Sequence, residues 1–150
     1  MNHIKKDILT VEEGFIVHQT NCIGVAGGLA GAIFKKWPKA GQNYRNECDN
    51  DGKYWLGRCY TEQLTDKLTL VNLFGQYNTS HKGRATQYTA FGSALTQLKY
   101  IIEDIEESDG VKINVYFPYL IGCGLGGGDW NIISQMIEEL FPNAYICELP

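Results

Sequence analysis

The sequence predicts an α/β fold in which helices cover both faces of a largely parallel sheet. Short apolar runs of β-prone residues, such as residues 15–17 and 68–74, alternate with segments whose apolar residues recur at helical spacing. Twice, at residues 19–28 (the first glycine loop) and 118–130 (the second glycine loop), a glycine-rich stretch joins a predicted strand to a predicted helix. No linker, repeat or low-complexity segment interrupts this alternation, so we expect a single domain over residues 1–150.

Residues 1–74 are predicted to form four strands and a broken helical region. The strands are residues 3–7, 15–17, 58–63 and 68–74, with a turn at 65–67. Leu29, Ile33, Phe34 and Trp37 keep to one helical face, and Pro38 ends or kinks that helix. Residues 39–48 add further helical turns, and residues 50–52 (Asn-Asp-Gly) predict a turn.

Residues 75–150 are predicted to contain two helices and two strands. A polar loop at 75–84 precedes a helix over 86–105, which Ser-Asp-Gly at 108–110 stops. A strand at 111–117 leads into the second glycine loop, and a helix at 130–140 and a strand at 145–147 follow. The pattern of strand, glycine loop and helix is therefore repeated near the end of the chain.

The composition is that of a globular protein. The chain has 150 residues, 44% hydrophobic and 20% charged, with a net charge of −4 at pH 7. This acidic balance argues against a basic nucleic-acid footprint. Five cysteines without C-x-x-C spacing predict reduced thiols in a cytoplasm, with no disulfide frame and no zinc site. With neither an apolar signal core nor a membrane-length run in the sequence, we expect a cytoplasmic monomer that uses no metal and no cofactor.

The two glycine loops are the strongest candidates for a binding site. Glycines let a ligand approach the backbone, and a helix start presents free N–H groups to an anion. The first loop lacks a P-loop lysine and G-x-G-x-x-G spacing, and an alternative is a βα turn without a ligand. The second has five glycines in the seven positions 122–128. Two such loops on one rim of the sheet suggest a ligand with two or more phosphates.

Several polar residues near these loops have both a chemical and a structural interpretation. Asp7 either accepts a hydrogen bond from an exocyclic amine such as that of adenine or is a solvated turn residue. Asn21 either holds a sugar hydroxyl or shapes its loop as an Asx turn. Asp129 is either a catalytic acid or the N-cap of the helix at 130. His18 is predicted to be an interior histidine.

The remaining candidates lie in the polar loop and in the glycine loops. His81 and Lys82 either meet a phosphate or are solvated. Cys22 and Cys123 have no evident histidine partner, so they are predicted to be small packing residues instead of nucleophiles.

Taken together, these motifs resemble a macro domain, which is an ADP-ribose-binding module. The motifs are Lys6-Asp7-Ile8, Asn21-Cys22-Ile23-Gly24, Gly27-Gly28-Leu29-Ala30 and Ile121-Gly122-Cys123-Gly124-Leu125. Two further motifs, Trp37-Pro38-Lys39-Ala40 leading to Tyr44 and Leu56-Gly57-Arg58-Cys59, resemble the branch that contains ADP-ribose-1″-phosphate phosphatases and terminal ADP-ribose protein glycohydrolases. The resemblance covers nearly the whole chain and implies a three-layer α/β/α sandwich with a mixed, largely parallel sheet.

The resemblance also implies a set of binding residues. Asp7 and Ile8 would meet the adenine, the segment from Gly27 to Ala32 together with Asn21 would hold the distal ribose and a phosphate, and the second glycine loop would wrap the diphosphate. The binding residues so predicted are Asp7, Ile8, Asn21, Cys22, Gly27, Gly28, Leu29, Ala30, Gly31, Gly122, Cys123, Gly124, Leu125, Gly126, Gly127 and Gly128.

The activity implied by the resemblance is dephosphorylation of ADP-ribose 1″-phosphate, with His81, Asp129 and Asn21 as catalytic candidates. Where glycohydrolases of this branch have an acid directly after Gly-Cys-Gly-Leu, this chain has Gly126, and their nucleophilic lysine has only a loose counterpart in Lys82. Lys6 also replaces the glycine that many members have before Asp-Ile. One alternative is removal of ADP-ribose from a modified protein or nucleic acid, and another is binding or sequestration of such nucleotides without turnover.

Overall fold

Strands and helices alternate along the chain as predicted. The computed structural model describes residues 1–79 and 83–150. The strands are β1 (Asn2–Lys5), β2 (Gly14–Thr20), β3 (Cys59–Gln63), β4 (Leu68–Phe74), β5 (Val115–Pro118) and β6 (Tyr145–Glu148). The helices are α1 (Gly28–Lys36), α2 (Pro38–Trp55), α3 (Tyr88–Asp109) and α4 (Trp130–Leu140). Within the described residues, no helix has the length and apolar character needed to cross a membrane.

The strands form one mixed sheet in the order β1-β6-β5-β2-β4-β3. All neighbouring pairs are parallel except β3 and β4. β2 lies inside the sheet, pairing along its whole length with β4 and through Phe15 and Ile16 with β5. Because carboxyl ends of parallel strands lie at the same edge, the loops that follow β2 and β5 are neighbours. The two glycine loops therefore meet at one edge of the sheet.

The sheet is the middle of three layers, which confirms the predicted α/β/α sandwich. Alternate residues of β2 enter different cores: Phe15 and Val17 pack with residues of α3 and α4, whereas Ile16 packs with residues of α1 and α2. Phe91 of α3 and Tyr44 of α2 are almost completely buried on opposite faces. Both faces are thus covered by apolar helix surfaces, as a largely parallel sheet requires.

The helical region after the first glycine loop is broken where the sequence predicts. α1 ends at Lys36, Trp37 has non-helical angles (φ −124°, ψ 79°), and Pro38 occupies the first position of α2, where its missing N–H costs no hydrogen bond. Asp51 (φ −160°, ψ 80°) interrupts α2 within the predicted turn. A Cβ at Gly52 would lie 2.3 Å from the carbonyl oxygen of Cys22, so this part of α2 packs directly on the first glycine loop.

Several predicted boundaries differ from the structure: β2 and α2 are longer than predicted, and β1, α3 and β5 are shifted or shortened. β1 ends at Lys5 instead of residue 7, because Asp7 caps a short 3₁₀ turn at Ile8–Thr10. α3 starts at Tyr88 and continues to Asp109, where Gly110 in the left-handed conformation (φ 65°) ends it. β5 starts at Val115 instead of residue 111, and the N–H of Ile113 donates to the Glu106 carboxylate.

Candidate functional site

A cavity of about 450 Å³ lies between the two glycine loops, at the carboxyl ends of β2 and β5. Of the predicted site residues, those that line it are Asn21, Gly27, Gly28, Leu29, Ala30, Gly122, Gly124, Leu125 and Gly126. The Leu125 side chain is 80% exposed, and its Cδ1 lies beside the backbone of Gly27 and Gly28. The structure therefore brings the two loops together at the mouth of one cavity.

Asn21 shapes the first glycine loop with its side-chain amide. Its Oδ1 accepts hydrogen bonds from the N–H groups of Ile23 (3.1 Å) and Val25 (3.3 Å) and from the Tyr44 hydroxyl (2.8 Å). Its Nδ2 donates to the Val25 carbonyl at 2.7 Å. Asn21 is 6% exposed. These bonds are the ones that the loop-shaping interpretation expects, and the catalytic role of Asn21 stays a prediction.

The start of α1 presents unpaired N–H groups to the cavity. The N-cap is Gly27, which has no side chain to accept a hydrogen bond from the first helical turn. The first intrahelical donor is Gly31, whose N–H reaches the Gly27 carbonyl at 3.2 Å. Within residues 1–79 and 83–150, the N–H groups of Gly28, Leu29 and Ala30 therefore lack backbone partners, and all three residues line the cavity. A helix start of this kind favours an anion.

The second glycine loop offers a matching set of donors. Among the described residues, the N–H groups of Gly124, Leu125 and Gly126 have no hydrogen-bond partner. In contrast, the carbonyl groups of Gly122 and Gly126 each accept two hydrogen bonds from the protein. Consecutive unpaired N–H groups form an anion-binding concavity. The cavity is thus flanked by backbone donors on two sides.

A side chain at position 126 would not fit this loop. A Cβ at Gly126 would lie 2.4 Å from Thr86 Oγ1, 2.8 Å from the carbonyl oxygen of Gly122 and 3.0 Å from Gln19 Nε2. One of these atoms belongs to the backbone and the others to a hydrogen-bonded pair, so none can move aside cheaply. The loop therefore has space only for glycine at position 126.

Gln19 and Leu120 also line the cavity, and Thr86 contacts Gln19 beside it, although none of the three was predicted to be a site residue. Gln19 Nε2 donates to Gln76 Oε1 at 2.6 Å and to Thr86 Oγ1 at 2.8 Å. Leu120 lines the cavity with a positive φ of 64°, which is strained for a residue with a branched side chain. The available signal for Gln19 was its amide within the strand that precedes a glycine loop; Leu120 had no comparable signal.

His18 lies in the cavity floor as a buried, neutral residue. Its Nε2 is 2.5 Å from Asn72 Oδ1, so Nε2 carries the proton when this oxygen accepts. Nδ1 is buried without a partner among the described residues. Burial lowers the pKa of His18 to about 4, against the smaller opposing effect of the Asn72 hydrogen bond. The location agrees with the predicted interior histidine.

The acidic candidates lie outside the cavity lining and have local structural partners. Asp129 is the N-cap of α4, where its Oδ1 accepts from the Asn131 N–H at 2.8 Å. Its own N–H donates to the Tyr88 hydroxyl at 3.0 Å. Asp7 accepts from the Leu9 N–H at 2.9 Å, and Ile8 is buried in the core under α1 and α2. The observed contacts are therefore those of a helix cap for Asp129 and of a turn residue for Asp7.

Five other predicted binding residues are also outside the lining: Cys22, Gly31, Cys123, Gly127 and Gly128. Desolvation by burial raises the pKa of the Cys22 thiol to about 12 and also raises that of Cys123. Both thiols donate to carbonyl oxygens, of Gln76 and Ile121 respectively. These contacts fit packing residues and give neither thiol the character of a nucleophile.

His81, a catalytic candidate, and Lys82, a candidate phosphate contact, lie outside the residues that the structure describes. Over residues 1–79 and 83–150, no group of three or more His, Cys, Asp or Glu side chains is arranged to hold a metal ion.

Comparison with known sequences gives distant relatives and no matching family model. The chain is 28% identical over 144 residues to an uncharacterized 17.5 kDa protein of Enterobacteria phage T4, covering 92% of this chain and 88% of that protein. It is 26% identical over 164 residues to an ADP-ribose 1″-phosphate phosphatase of Saccharomyces cerevisiae, covering 93% of this chain and 92% of that protein. It is 27% identical over 140 residues to a DNA ADP-ribosyl glycohydrolase of Mycobacterium tuberculosis, covering 90% of this chain but only 37% of that protein.

Comparison with solved structures gives the fold. A protein from Bacteroides thetaiotaomicron superposes with a TM-score of 0.81 at 27% identity, covering 100% of this chain and 99% of that one. The macrodomain of Mycobacterium tuberculosis DarG superposes with a TM-score of 0.78 at 20% identity, covering 99% of this chain and 97% of that chain. Thermosipho africanus DarTG in complex with ADP-ribose gives 0.75 at 18% identity, with 99% of this chain and 41% of that chain covered. The chain has the fold of a macrodomain, as its motifs predicted.

Proposed function

We propose that the protein binds ADP-ribose and its derivatives in the cavity between the two glycine loops. The observation that carries this proposal is the pair of unpaired donor sets, Gly28–Ala30 at the start of α1 and residues 124–126 in the second loop. A diphosphate is rich in acceptors and has no donors when ionised, so it complements N–H groups on both sides. The similarity to a phosphatase and a glycohydrolase named for ADP-ribose substrates supports the same ligand.

We propose dephosphorylation of ADP-ribose 1″-phosphate as the activity. The yeast phosphatase aligns over nearly its whole length with this chain, which supports this reaction over the others. Backbone donors aimed at phosphoryl oxygens would stabilise the charge that develops during transfer to water. Asp129 already caps α4 through one carboxylate oxygen, so we assign the orientation of the attacking water to His81.

A second candidate activity is removal of ADP-ribose from modified DNA or protein. The alignment with the mycobacterial DNA ADP-ribosyl glycohydrolase favours it. The crowded surroundings of Gly126 argue against it, because an acid at that position has no space. Binding without turnover is the third candidate, and it requires the same cavity but no catalytic group.

The test is a titration followed by three product assays. Calorimetry with ADP-ribose should give micromolar affinity, about −8 kcal/mol, and AMP should bind more weakly because it lacks the second phosphate and the distal ribose. Phosphate release from ADP-ribose 1″-phosphate is then compared with ADP-ribose release from a modified DNA oligonucleotide and from a modified protein. Equal affinity for AMP and ADP-ribose would contradict the binding proposal, and cleavage of modified DNA or protein without phosphate release would favour the second candidate.

We further propose that the protein acts as a monomer in the cytoplasm. All five cysteines are free thiols, and four of them are buried. Reduced, buried thiols are typical of proteins from reducing compartments.

A further inference from the structure

Thr86, just before α3, connects Gly122 and Gly126 of the second glycine loop. Its side chain and backbone are buried, with 1% of the residue exposed. The hydroxyl donates to the Gly122 carbonyl at 2.8 Å, and the Thr86 N–H donates to the Gly126 carbonyl at 2.9 Å. One residue therefore holds the carbonyl groups at both ends of the segment whose N–H groups line the cavity.

The donors and acceptors of this junction have a single consistent assignment. Gln76 Nε2 donates to the Asn78 carbonyl at 2.9 Å, which makes Gln76 Oε1 the acceptor for Gln19 Nε2. Gln19 Nε2 also donates to Thr86 Oγ1, so the single hydroxyl proton of Thr86 is directed to Gly122. The hydroxyl proton and one lone pair of Thr86 Oγ1 are thus used within the protein, and Thr86 is not among the residues that line the cavity.

The junction turns the loop into a donor surface. The Gly122 carbonyl accepts from Thr86 Oγ1 and from the Gly128 N–H, and the Gly126 carbonyl accepts from the N–H groups of Ala85 and Thr86. Carbonyl oxygens that faced the cavity would repel a phosphate. Both carbonyl groups are held by the protein, and residues 124–126, whose N–H groups have no partner in the described part of the chain, line the cavity. We infer that these N–H groups are the ones available to a phosphate.

We propose that Thr86 is the positioning residue of the second glycine loop, and that its hydroxyl sets the affinity of the cavity for the diphosphate. This proposal rests on the proposed function for its ligand, but its structural part concerns the ligand-free protein. The lack of space at Gly126 agrees with it, because a Cβ there would collide with the same hydroxyl.

Two variants separate the hydroxyl from the shape of the side chain. Thr86→Ser keeps the hydroxyl and loses the methyl group that lies near Gly128, whereas Thr86→Val keeps the shape and loses the hydroxyl. We expect Thr86→Val to bind ADP-ribose roughly tenfold more weakly, and Thr86→Ser to stay within about threefold of wild type. Thr96→Val is the matched control, since the Thr96 hydroxyl bonds to the Gly92 carbonyl inside α3. Thr86→Ala replaces Thr86→Val if the latter does not fold.

A second measurement needs no ligand. The Gly128 amide donates to the Gly122 carbonyl, so its hydrogen-exchange protection should fall in Thr86→Val and be retained in Thr86→Ser and Thr96→Val. Wild-type affinity in Thr86→Val, or losses in both Thr86 variants that only follow their melting temperatures, would overturn the positioning role. If wild type fails to bind ADP-ribose, the proposed function is wrong, and the Gly128 protection still decides whether Thr86 positions the loop.

Discussion

The two glycine loops border one cavity, but different features of the chain determine their conformations. A polar side chain holds the first loop: Asn21 bonds within the loop and to Tyr44 of α2. At the start of α1, Gly27 and Gly28 have only a Leu125 methyl group within 4 Å of an added Cβ. In the second loop, Gly126 and Gly128 are crowded by backbone and by Thr86. The first loop is therefore held by a side chain of its own, whereas the second is held by Thr86 from outside the loop and has no space for a side chain at Gly126 or Gly128.

The largest expected effect is the loss of the Asn21 amide. Asn21→Ala leaves the Ile23 and Val25 N–H groups and the Val25 carbonyl without their partner, so the free energy of unfolding should fall by about 3 kcal/mol. Urea unfolding measures this. Asn21→Asp is the comparison variant, because it keeps the three bonds that Oδ1 accepts and replaces Nδ2 with a carboxyl oxygen. When that carboxyl group is protonated it can donate to the Val25 carbonyl, so at acidic pH this variant should be less destabilising than Asn21→Ala. If both variants were as stable as wild type, the first loop would not depend on this side chain.

Added side-chain volume in the second glycine loop should destabilise the protein. Gly126→Ala places a Cβ against the Gly122 carbonyl and Thr86 Oγ1, which should cost about 2 kcal/mol of unfolding free energy. Gly124→Ala in the same loop is the control, since no atom lies within 4 Å of its added Cβ, and its stability should change by less than about 0.5 kcal/mol. Equal effects of the two substitutions would show that crowding does not distinguish these glycines.

His18 should make the folded protein sensitive to acid. Its pKa is about 4 in the folded state and 6.5 in a model peptide, so between these values the unfolded chain binds the extra proton. Stability is therefore unaffected by this group above pH 6.5 and falls as the pH decreases towards 4. Between pH 7 and pH 5 the loss should be about 2 kcal/mol. The free energy of unfolding of His18→Gln, measured at both pH values, should not show this loss. If the loss is unchanged in the variant, other residues cause the acid sensitivity.

The smallest expected effect is at the end of the second glycine loop. Asp129→Ala removes the N-cap hydrogen bond to Asn131, which should cost about 1 kcal/mol, and Asp129→Asn should retain most of it. Because Asp129 does not line the cavity, ADP-ribose affinity should stay within about twofold of wild type. Melting temperature and calorimetry are measured on the same samples. A large loss of affinity at unchanged stability would show that Asp129 contacts the ligand.

The fold was largely predictable because its determinants are local patterns. β4 and α4 have the predicted boundaries, and the breaks at Pro38 and Gly110 follow from a missing N–H and a left-handed glycine. β1 and β5 were predicted too long, since side-chain bonds from Asp7 and Glu106 replace strand pairing there. Such contacts join particular atoms and leave no periodic signal in the sequence.

The site was predictable as two loops but not as a set of contacts. Glycine content identified the regions around Gly27 and Gly126, which the structure places on one cavity. The hydroxyl of Thr86 and the amide of Gln19 meet across 67 positions of sequence, and nothing local marks them as partners. Asn21 had two interpretations from sequence alone, and only the bonds to Val25 and Tyr44 distinguish them.

The central claim is that backbone N–H groups on both sides of the cavity bind one diphosphate. The most direct test follows the backbone amide resonances of Gly28, Leu29 and Ala30 and of Gly124, Leu125 and Gly126 during a titration with ADP-ribose. We predict that both groups shift and saturate at the same ligand concentration, while remote amides such as that of Gly110 do not move. Shifts confined to one loop, or saturation at two different concentrations, would contradict the claim.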